Sequence, residues 1–466
     1  MPTPAALDLG SREITCFKAY DLRGRVGDEL DADIAYRVGR AFAETRQAKL
    51  VVTGRDNRPS SPELHMALMK GLTEGGADVV DLGLAGTEEV YFGTPHFDAD
   101  GGIEVTASHN PVEYNGMKLV GQGSAPLDPK TDLPPLIARA NSGKFAAPAR
   151  LGQIRPAGDV RRIYARKVVD FIDASCLAPL RIVVNAGNGT AGPTFDAIAD
   201  ELARRGAPLT FIRVNHEVDP SFPNGIPNPM LEQNHWMTSN PVRAEKADLG
   251  IAWDGDFDRC FFFDNHGQFI PGEYITGLLA AAFLEKHPGE KIVHDTRVVL
   301  NTRAVIRDAG GVSVPSRSGH AFLKRSMRES GAIYGGEMSA HHYFRDFHFA
   351  DSGMIPWLLV VELLSRKGVS LAGLLDERMQ AYPSSGEANY PIADPDAAIA
   401  RVVAHFEGQG AERDDLDGVS FDFGTWRFNL RQSNTEPVVR LNVEGWVNRN
   451  AVLRRRDEIA ALLQSG

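Results

Sequence analysis

The feature that most constrains this chain is a local plan that recurs along it: a short run rich in Val and Ile, a polar or Gly-rich turn, then a stretch compatible with a helix. Lys49-Leu-Val-Val-Thr-Gly-Arg-Asp56, Leu180-Arg-Ile-Val-Val-Asn-Ala-Gly187 and Lys291-Ile-Val-His-Asp-Thr-Arg297 each begin such a unit, and a helix of ten or more residues is predicted after each. Apolar strands alternating with helices call for parallel or mixed sheets covered on both faces. The plan returns at intervals of about 110 to 130 residues, too long for a solenoid and suited to related α/β domains.

At 466 residues the chain is too long for one hydrophobic core, and domains of about 100–200 residues give three or four. Turn-rich stretches at residues 142–156, 265–267 and 382–386 divide it into 1–150, 151–265, 266–382 and 383–466. The last piece differs in texture. Val419-Ser-Phe-Asp-Phe, Trp426-Arg-Phe-Asn-Leu and Val438-Val-Arg-Leu-Asn-Val alternate with period two ahead of a helical stretch, the pattern of an antiparallel sheet with a helix. The expected fold is therefore α/β, with three related mixed α/β domains and a C-terminal α+β domain.

A formal net charge of −11 argues against nucleic acid or an anionic membrane as a partner, because both are held by broad basic fields. A local basic pocket for phosphate remains compatible with it. Cys16, Cys176 and Cys260 are scattered and odd in number, so neither a disulfide framework nor a zinc site is expected, and a cytoplasmic location fits. The first residues lack the basic and apolar regions of a secretory signal. The apolar runs at 278–284 and 357–364 fall short of the ~18–20 residues of a membrane span and read as core helices.

Four stretches carry chemistry. Thr106-Ala-Ser-His-Asn-Pro111 follows a strand-like run, and a serine among small, turn-forming residues there is expected to be exposed, with amides able to surround a phosphate. An ordinary capping turn is the alternative, and neighbours in sequence such as Ser108 and His109 do not thereby make a dyad. Asp254-Gly-Asp-Phe-Asp-Arg259 places three carboxylates at alternate positions after the apolar run Leu249-Gly-Ile-Ala-Trp253. Hard oxygen ligands in that setting suggest Mg2+ at Asp254, Asp256 and Asp258, whereas a calcium loop would need Gly at its sixth position and Glu at its twelfth. Gly335-Gly-Glu-Met-Ser-Ala-His-His-Tyr343 offers Glu337 and Ser339 to vicinal hydroxyls and a titratable histidine. Arg431-Gln-Ser-Asn-Thr-Glu-Pro437, with Arg440 after it, supplies forked donors and turn amides suited to a phosphate dianion.

In this order the four loops resemble the active-site loops of the α-D-phosphohexomutase superfamily over nearly the whole chain. The resemblance implies that Ser108 carries a phosphoryl group, that Asp254, Asp256 and Asp258 hold Mg2+ together with the phosphorylated Ser108, and that Arg259 lies beside the transferring phosphate. It assigns Glu337 and Ser339 to sugar hydroxyls and Arg431, Ser433, Asn434 and Thr435 to the other phosphate. Tyr20, Arg23, Lys118, Gly319 and His320 also match, and Lys118 and His341 are candidates for the general base. A hexose 1,6-bisphosphate is the implied intermediate and activator. Residues 339–346 resemble the phosphomannomutase branch that feeds GDP-mannose and polysaccharide synthesis, which implies mannose phosphate as substrate, with a dual-specificity enzyme that also takes glucose phosphate as the alternative. Whether the protein is a monomer or a dimer stays open. Ala340, Arg297 and Phe257 depart from residues common in the family, which puts the geometry of their loops in question.

Two rivals share part of this evidence. Gly187-Asn-Gly-Thr-Ala-Gly192 is a literal dinucleotide fingerprint, with Glu217 farther on. An apolar strand followed by Asp254-x-Asp256 also suits a haloacid-dehalogenase-type phosphotransferase that would use Asp254 as nucleophile.

Overall fold

The computed structural model describes residues 12–432 and 438–465. The chain divides into two compact units, one comprising residues 1–268 and 346–366, the other 269–345 and 367–466. Among the described residues no helix is long and apolar enough to cross a membrane.

In the first unit, β1 (Leu22–Arg25), β2 (Leu50–Arg55), β3 (Asp78–Leu84), β4 (Gly101–Val105), β5 (Tyr114–Gly121) and β6 (Ile154–Pro156) form a sheet of order β1-β5-β4-β2-β3-β6. Strands β4, β2, β3 and β6 run parallel, while β5 pairs antiparallel with β4 and β1. Val51, Val52 and Thr53 of β2 are fully buried, as a strand covered on both faces requires. Ile34, Val38 and Phe42 of the helix Ala32–Arg46 and Leu64, Leu68 and Leu72 of the helix Ser61–Glu74 pack with Val51, Ile103 and Met117 into one core. The first helix starts cleanly because the Asp31 side chain accepts from Ile34 N at 2.9 Å.

A second sheet includes β7 (Leu180–Asn185), β8 (Leu209–Val214), β9 (Leu249–Trp253) and β10 (Cys260–Phe263), which neighbour one another in the order β10-β9-β7-β8. Here too the central strands are parallel and the last is antiparallel. The unit is completed by residues 346–366, where Gly353 O accepts from Trp253 Nε1 at 2.9 Å.

The second unit repeats the plan. Strand Lys291–His294 lies parallel to Val312–Pro315 and to Tyr334–Gly336, which then pairs antiparallel with His342–Phe344. The helix after the first of these strands, Leu300–Asp308, has nine residues, one short of expectation. The C-terminal sheet is wholly antiparallel, in the order Ser384–Pro391, Val438–Gly445, Trp426–Gln432, Val419–Asp422, Glu412–Asp414. Helices Pro395–Phe406 and Arg449–Gln464 bury Phe406 and Ile459 against Phe428 and Leu441. The α+β texture of the last piece is thus as expected, with a helix before as well as after the three strands read from the sequence.

This topology gives every chemical loop one address. Residues 106–113, 254–259 and 337–341 each join a parallel strand to the antiparallel strand beside it. Residues 433–437 likewise follow Trp426–Gln432 and precede its antiparallel partner Val438–Gly445. Loops at strand ends are where α/β sheets hold ligands.

Candidate active site

In the first unit the loop from β4 to β5 is shaped around Thr106, whose Oγ1 accepts from Ser108 N at 2.8 Å. Ser108 takes φ +48°, a left-handed conformation that costs a residue with a Cβ about 1–2 kcal/mol. It is 6% exposed, not open as its small neighbours suggested. His109, Arg259 and Asp254 close around its hydroxyl. Arg23 donates to Thr106 O and pairs with Asp21 at 3.2 Å, and Tyr20 lies half-buried just before β1.

The connection from β9 to β10 buries Asp254, Asp256 and Asp258, and one carboxylate oxygen of each lies within 4.8 Å of the others. The Ser108 hydroxyl donates to Asp254 Oδ2 at 2.7 Å. The two loops come this close because residue 255 is glycine: a Cβ there would stand 2.4 Å from Ser108 O. Thr87 donates from Oγ1 to Asp256 Oδ2 at 2.7 Å and from its amide to Asp256 O at 3.2 Å. Thr87 opens the helix Thr87–His96, so the positive end of that helix falls on Asp256. Phe257 turns its ring onto Gly86, and its bulk is absorbed by a glycine outside the motif.

Charge is balanced within this cluster. Lys118 Nζ donates to Asp256 Oδ2 at 2.7 Å and also reaches Asp258. Arg259 donates from Nε to Asp254 Oδ2 at 2.8 Å, and its Nη2 lies 3.3 Å from Ser108 Oγ. Burial raises the pKa of Asp254, with Arg259 pulling against it. Burial pulls Lys118 down, but Asp256 and Asp258 more than offset this and hold it above the ordinary lysine value, as an ammonium. Asp256 Oδ1 is buried and accepts no hydrogen bond. A buried acceptor without a donor, beside two more carboxylates, fits a divalent cation with oxygen ligands.

His109 Nδ1 lies 3.0 Å from Ser108 Oγ, yet closeness alone does not make the pair a catalytic dyad. That nitrogen also receives Arg259 Nη2. Although 40% of the side chain is exposed, crowding of the ring by its neighbours and then the Arg259 charge lower the imidazole pKa. With the Nδ1 lone pair taken by Arg259, the serine proton goes to Asp254, and His109 is not its base.

The dinucleotide fingerprint is filled by the chain itself. A Cβ on Gly187 would meet Pro227 at 2.3 Å, one on Gly189 would meet Gly255 O at 2.9 Å, and one on Gly192 would meet His216 O at 2.3 Å. Glu217 is exposed, and its carbonyl accepts from Asn188 Nδ2 at 2.8 Å. These glycines serve close packing, and Thr190 beside them donates to Gly255 O at 2.9 Å to brace the acidic loop.

In the second unit Glu337 is buried among donors: Gly319 N at 2.9 Å, Tyr343 OH at 2.6 Å and Arg297 Nη2 at 3.4 Å, with His341 Nδ1 at 3.3 Å. Burial opposes its ionisation, yet His341 and Arg297 hold its pKa well below the usual carboxylate range. Ser339 Oγ lies 3.2 Å from His341 Nδ1 and 3.3 Å from Arg297 Nη2. Ala340 adopts φ +69°, the region that favours glycine. His320 opens the helix His320–Ser330 directly after Gly319. Arg431 and Arg440 both pair with Glu387, at 3.4 and 3.3 Å, and Arg297 approaches the same carboxylate at 3.6 Å. Ser433, Asn434 and Thr435 lie outside the described residues. Sequence reading missed Arg58, Gly86, Thr87, Asp295 and Glu387. Only Asp295, which lies two residues before Arg297 at a strand end and accepts from its Nε at 2.8 Å, left a local signal.

Models of the phosphoglucomutase/phosphomannomutase alpha/beta/alpha domains I, II and III match residues 15–144, 162–267 and 271–382, and that of the C-terminal domain matches 387–462. The chain belongs to the phosphoglucomutase/phosphomannomutase family. It is 54% identical over 454 residues to a phosphomannomutase of Salmonella montevideo, covering 97% of this chain and 99% of that one. It is 52% identical over 451 residues to a protein of Xanthomonas campestris named phosphohexose mutases, covering 97% and 99%. A solved family member from Burkholderia thailandensis superposes with a TM-score of 0.85 at 32% identity, covering 97% of each chain. Membership over nearly the whole chain favours neither rival.

Proposed function

We propose that this protein is a phosphomannomutase that interconverts mannose 1-phosphate and mannose 6-phosphate through a phosphorylated Ser108 and a hexose 1,6-bisphosphate, serving GDP-mannose and polysaccharide synthesis in the cytoplasm. The observation that carries the reading is the Ser108 hydroxyl on Asp254, inside a buried cluster of three carboxylates, one lysine and one arginine. Three cysteines without a disulfide suit the proposed compartment.

Phosphoryl transfer needs in-line positioning and neutralised oxygens. Asp254, Asp256 and Asp258 would hold Mg2+, which when bound withdraws charge from the phosphoryl oxygens. Lys118 and Arg259 supply the remaining positive charge at the serine. The free hydroxyl of a hexose monophosphate attacks phosphorus, the bond to Ser108 Oγ breaks, and the sugar's proton passes to a base while Ser108 regains one. The bisphosphate then offers its other phosphoryl group to Ser108 by the reverse of these steps. In the second unit Glu337 and Ser339 take sugar hydroxyls shared by both orientations, Arg431 and Arg440 take the phosphate that does not react, and His341 is placed by Glu337 for proton movement. Lys118, held as an ammonium, serves as a charge and a proton donor.

A coupled assay with mannose, glucose and glucosamine 1-phosphates, a bisphosphate activator and Mg2+ tests the substrate. Turnover of mannose phosphate ahead of the glucosamine compound is expected. Mapping the phosphate tests the carrier: acid-stable phosphate on the Ser108 peptide supports this reading, and an acyl phosphate at Asp254 overturns it.

A further inference from the structure

Arg58 stands in none of the four loops, yet it is 1% exposed and its guanidinium is enclosed by the serine loop. Nη1 donates to Pro111 O at 2.7 Å and Tyr114 O at 3.0 Å, and Nη2 to Asn110 O at 2.6 Å, Ser108 O at 2.9 Å and Ala107 O at 3.4 Å. Five carbonyl oxygens drawn to one point repel one another unless a cation with forked donors sits among them, and the planar guanidinium is the side chain that meets this need. Asp56 fixes Arg58 in turn: its Oδ2 lies 3.3 Å from Nε, and its Oδ1 accepts from Arg58 N at 3.0 Å and from Ser61 Oγ at 2.5 Å.

The serine pays for its position. Ser108 is held at φ +48°, and its carbonyl is caught between Arg58 Nη2 and the Cβ-free face of Gly255. The same peptide orientation aims Oγ at Asp254 Oδ2. Nothing in Arg58 touches Oγ, so whatever it contributes passes through the backbone.

We propose that Arg58 is a positioning residue for phosphoryl transfer, gathering the carbonyls of residues 107–114 so that Ser108 is locked in the left-handed conformation from which its Oγ faces the carboxylate cluster. This rests on Ser108 being the phosphoryl carrier. Arg58 then sets the rate at which Ser108 gains and loses phosphate and leaves the sugar contacts of the second unit alone.

The test uses the full chain with Arg58→Ala and Arg58→Lys. Circular dichroism and melting curves establish that each variant is folded at the assay temperature. Transfer from glucose 1,6-bisphosphate to Ser108, followed by intact mass, and kcat are expected to fall about a hundredfold, as misplacement by about 1 Å costs, with KM within about threefold. Lysine keeps the charge but cannot span five carbonyls, so it is expected to be impaired nearly as much. Millimolar guanidinium is expected to restore part of kcat in Arg58→Ala and none in Arg58→Lys, a response that loss of stability alone does not give. A folded Arg58→Ala or Arg58→Lys enzyme with kcat within threefold of the parent, or an Arg58→Ala enzyme whose kcat guanidinium leaves unmoved, overturns the proposal. The carrier reading fails separately, by an active Ser108→Ala enzyme.

Discussion

The Ser108 hydroxyl donates to Asp254 Oδ2 at 2.7 Å, joining residues 146 positions apart. If Ser108 Oγ carries the phosphoryl group, Ser108→Ala removes the carrier and leaves the surrounding packing intact, because the loop is held through backbone carbonyls. Mutase activity is expected to fall at least about a thousandfold, with an unchanged melting temperature. Parent-like turnover in a mass-verified variant would end the assignment.

The carboxylate cluster predicts a cation-dependent stability. A ligand that binds only the folded state raises its stability by mass action. Mg2+ is expected to raise the melting temperature of the parent and to give a heat signal in calorimetric titration. Asp256→Asn removes the charge from the carboxylate whose Oδ1 accepts no hydrogen bond, so both responses are expected to shrink at least tenfold in Mg2+ concentration. Equal responses in the two proteins would exclude Asp256 as a ligand.

Gly86 and Phe257 form a reciprocal pair. A methyl at residue 86 would lie 2.0 Å from Cε1 of the Phe257 ring, and overpacking of this kind costs about 1–3 kcal/mol. Gly86→Ala is expected to lower urea resistance by that amount and to weaken Mg2+ binding, since Phe257 lies between Asp256 and Asp258. Adding Phe257→Leu is expected to recover most of the loss. An additive double mutant would show that the ring is not the cause.

His65 gives the fold an acid-side weakness. Its Nε2 lies 2.9 Å from Thr53 Oγ1, and burial lowers its pKa from 6.5 to about 4, with Asp81 opposing and Arg55 assisting the shift. The unfolded chain therefore binds this proton first as pH falls. The stability that neutral His65 contributes is full above pH 6.5 and is lost progressively down to about 4. His65→Gln is expected to show a smaller drop in urea midpoint between about pH 7.5 and 4.5 than the parent. An equal drop would place the acid sensitivity elsewhere.

The serine and acidic loops were legible because each is contiguous and ends an apolar strand, so a few adjacent residues announce the chemistry. Their supports were not. Thr87 meets Asp256 across 169 positions, Arg58 meets residues 107–114 across about fifty, and Glu387 gathers three arginines from separate strands and loops. No local period encodes such pairings. Ser108 was read as exposed because most of its neighbours are small, and two of the side chains that cover it, Asp254 and Arg259, come from a different sheet. The period-two alternation in residues 419–443 did transmit the antiparallel sheet, since one face of it is buried against two helices.

Residues 346–366 return to the first unit after the chain has already built strands of the second. Gly353 O accepts from Trp253, next to Asp254, and Glu88 Oε1, next to Thr87, accepts from Gly353 N and Met354 N at 3.0 and 3.1 Å. A nascent chain emerges from the ribosome N-terminus first, so it exposes all three aspartates long before the segment that braces their loop exists. The acidic centre beside Ser108 is therefore completed late in translation, and a release ahead of residue 353 leaves the acidic loop made but without this brace.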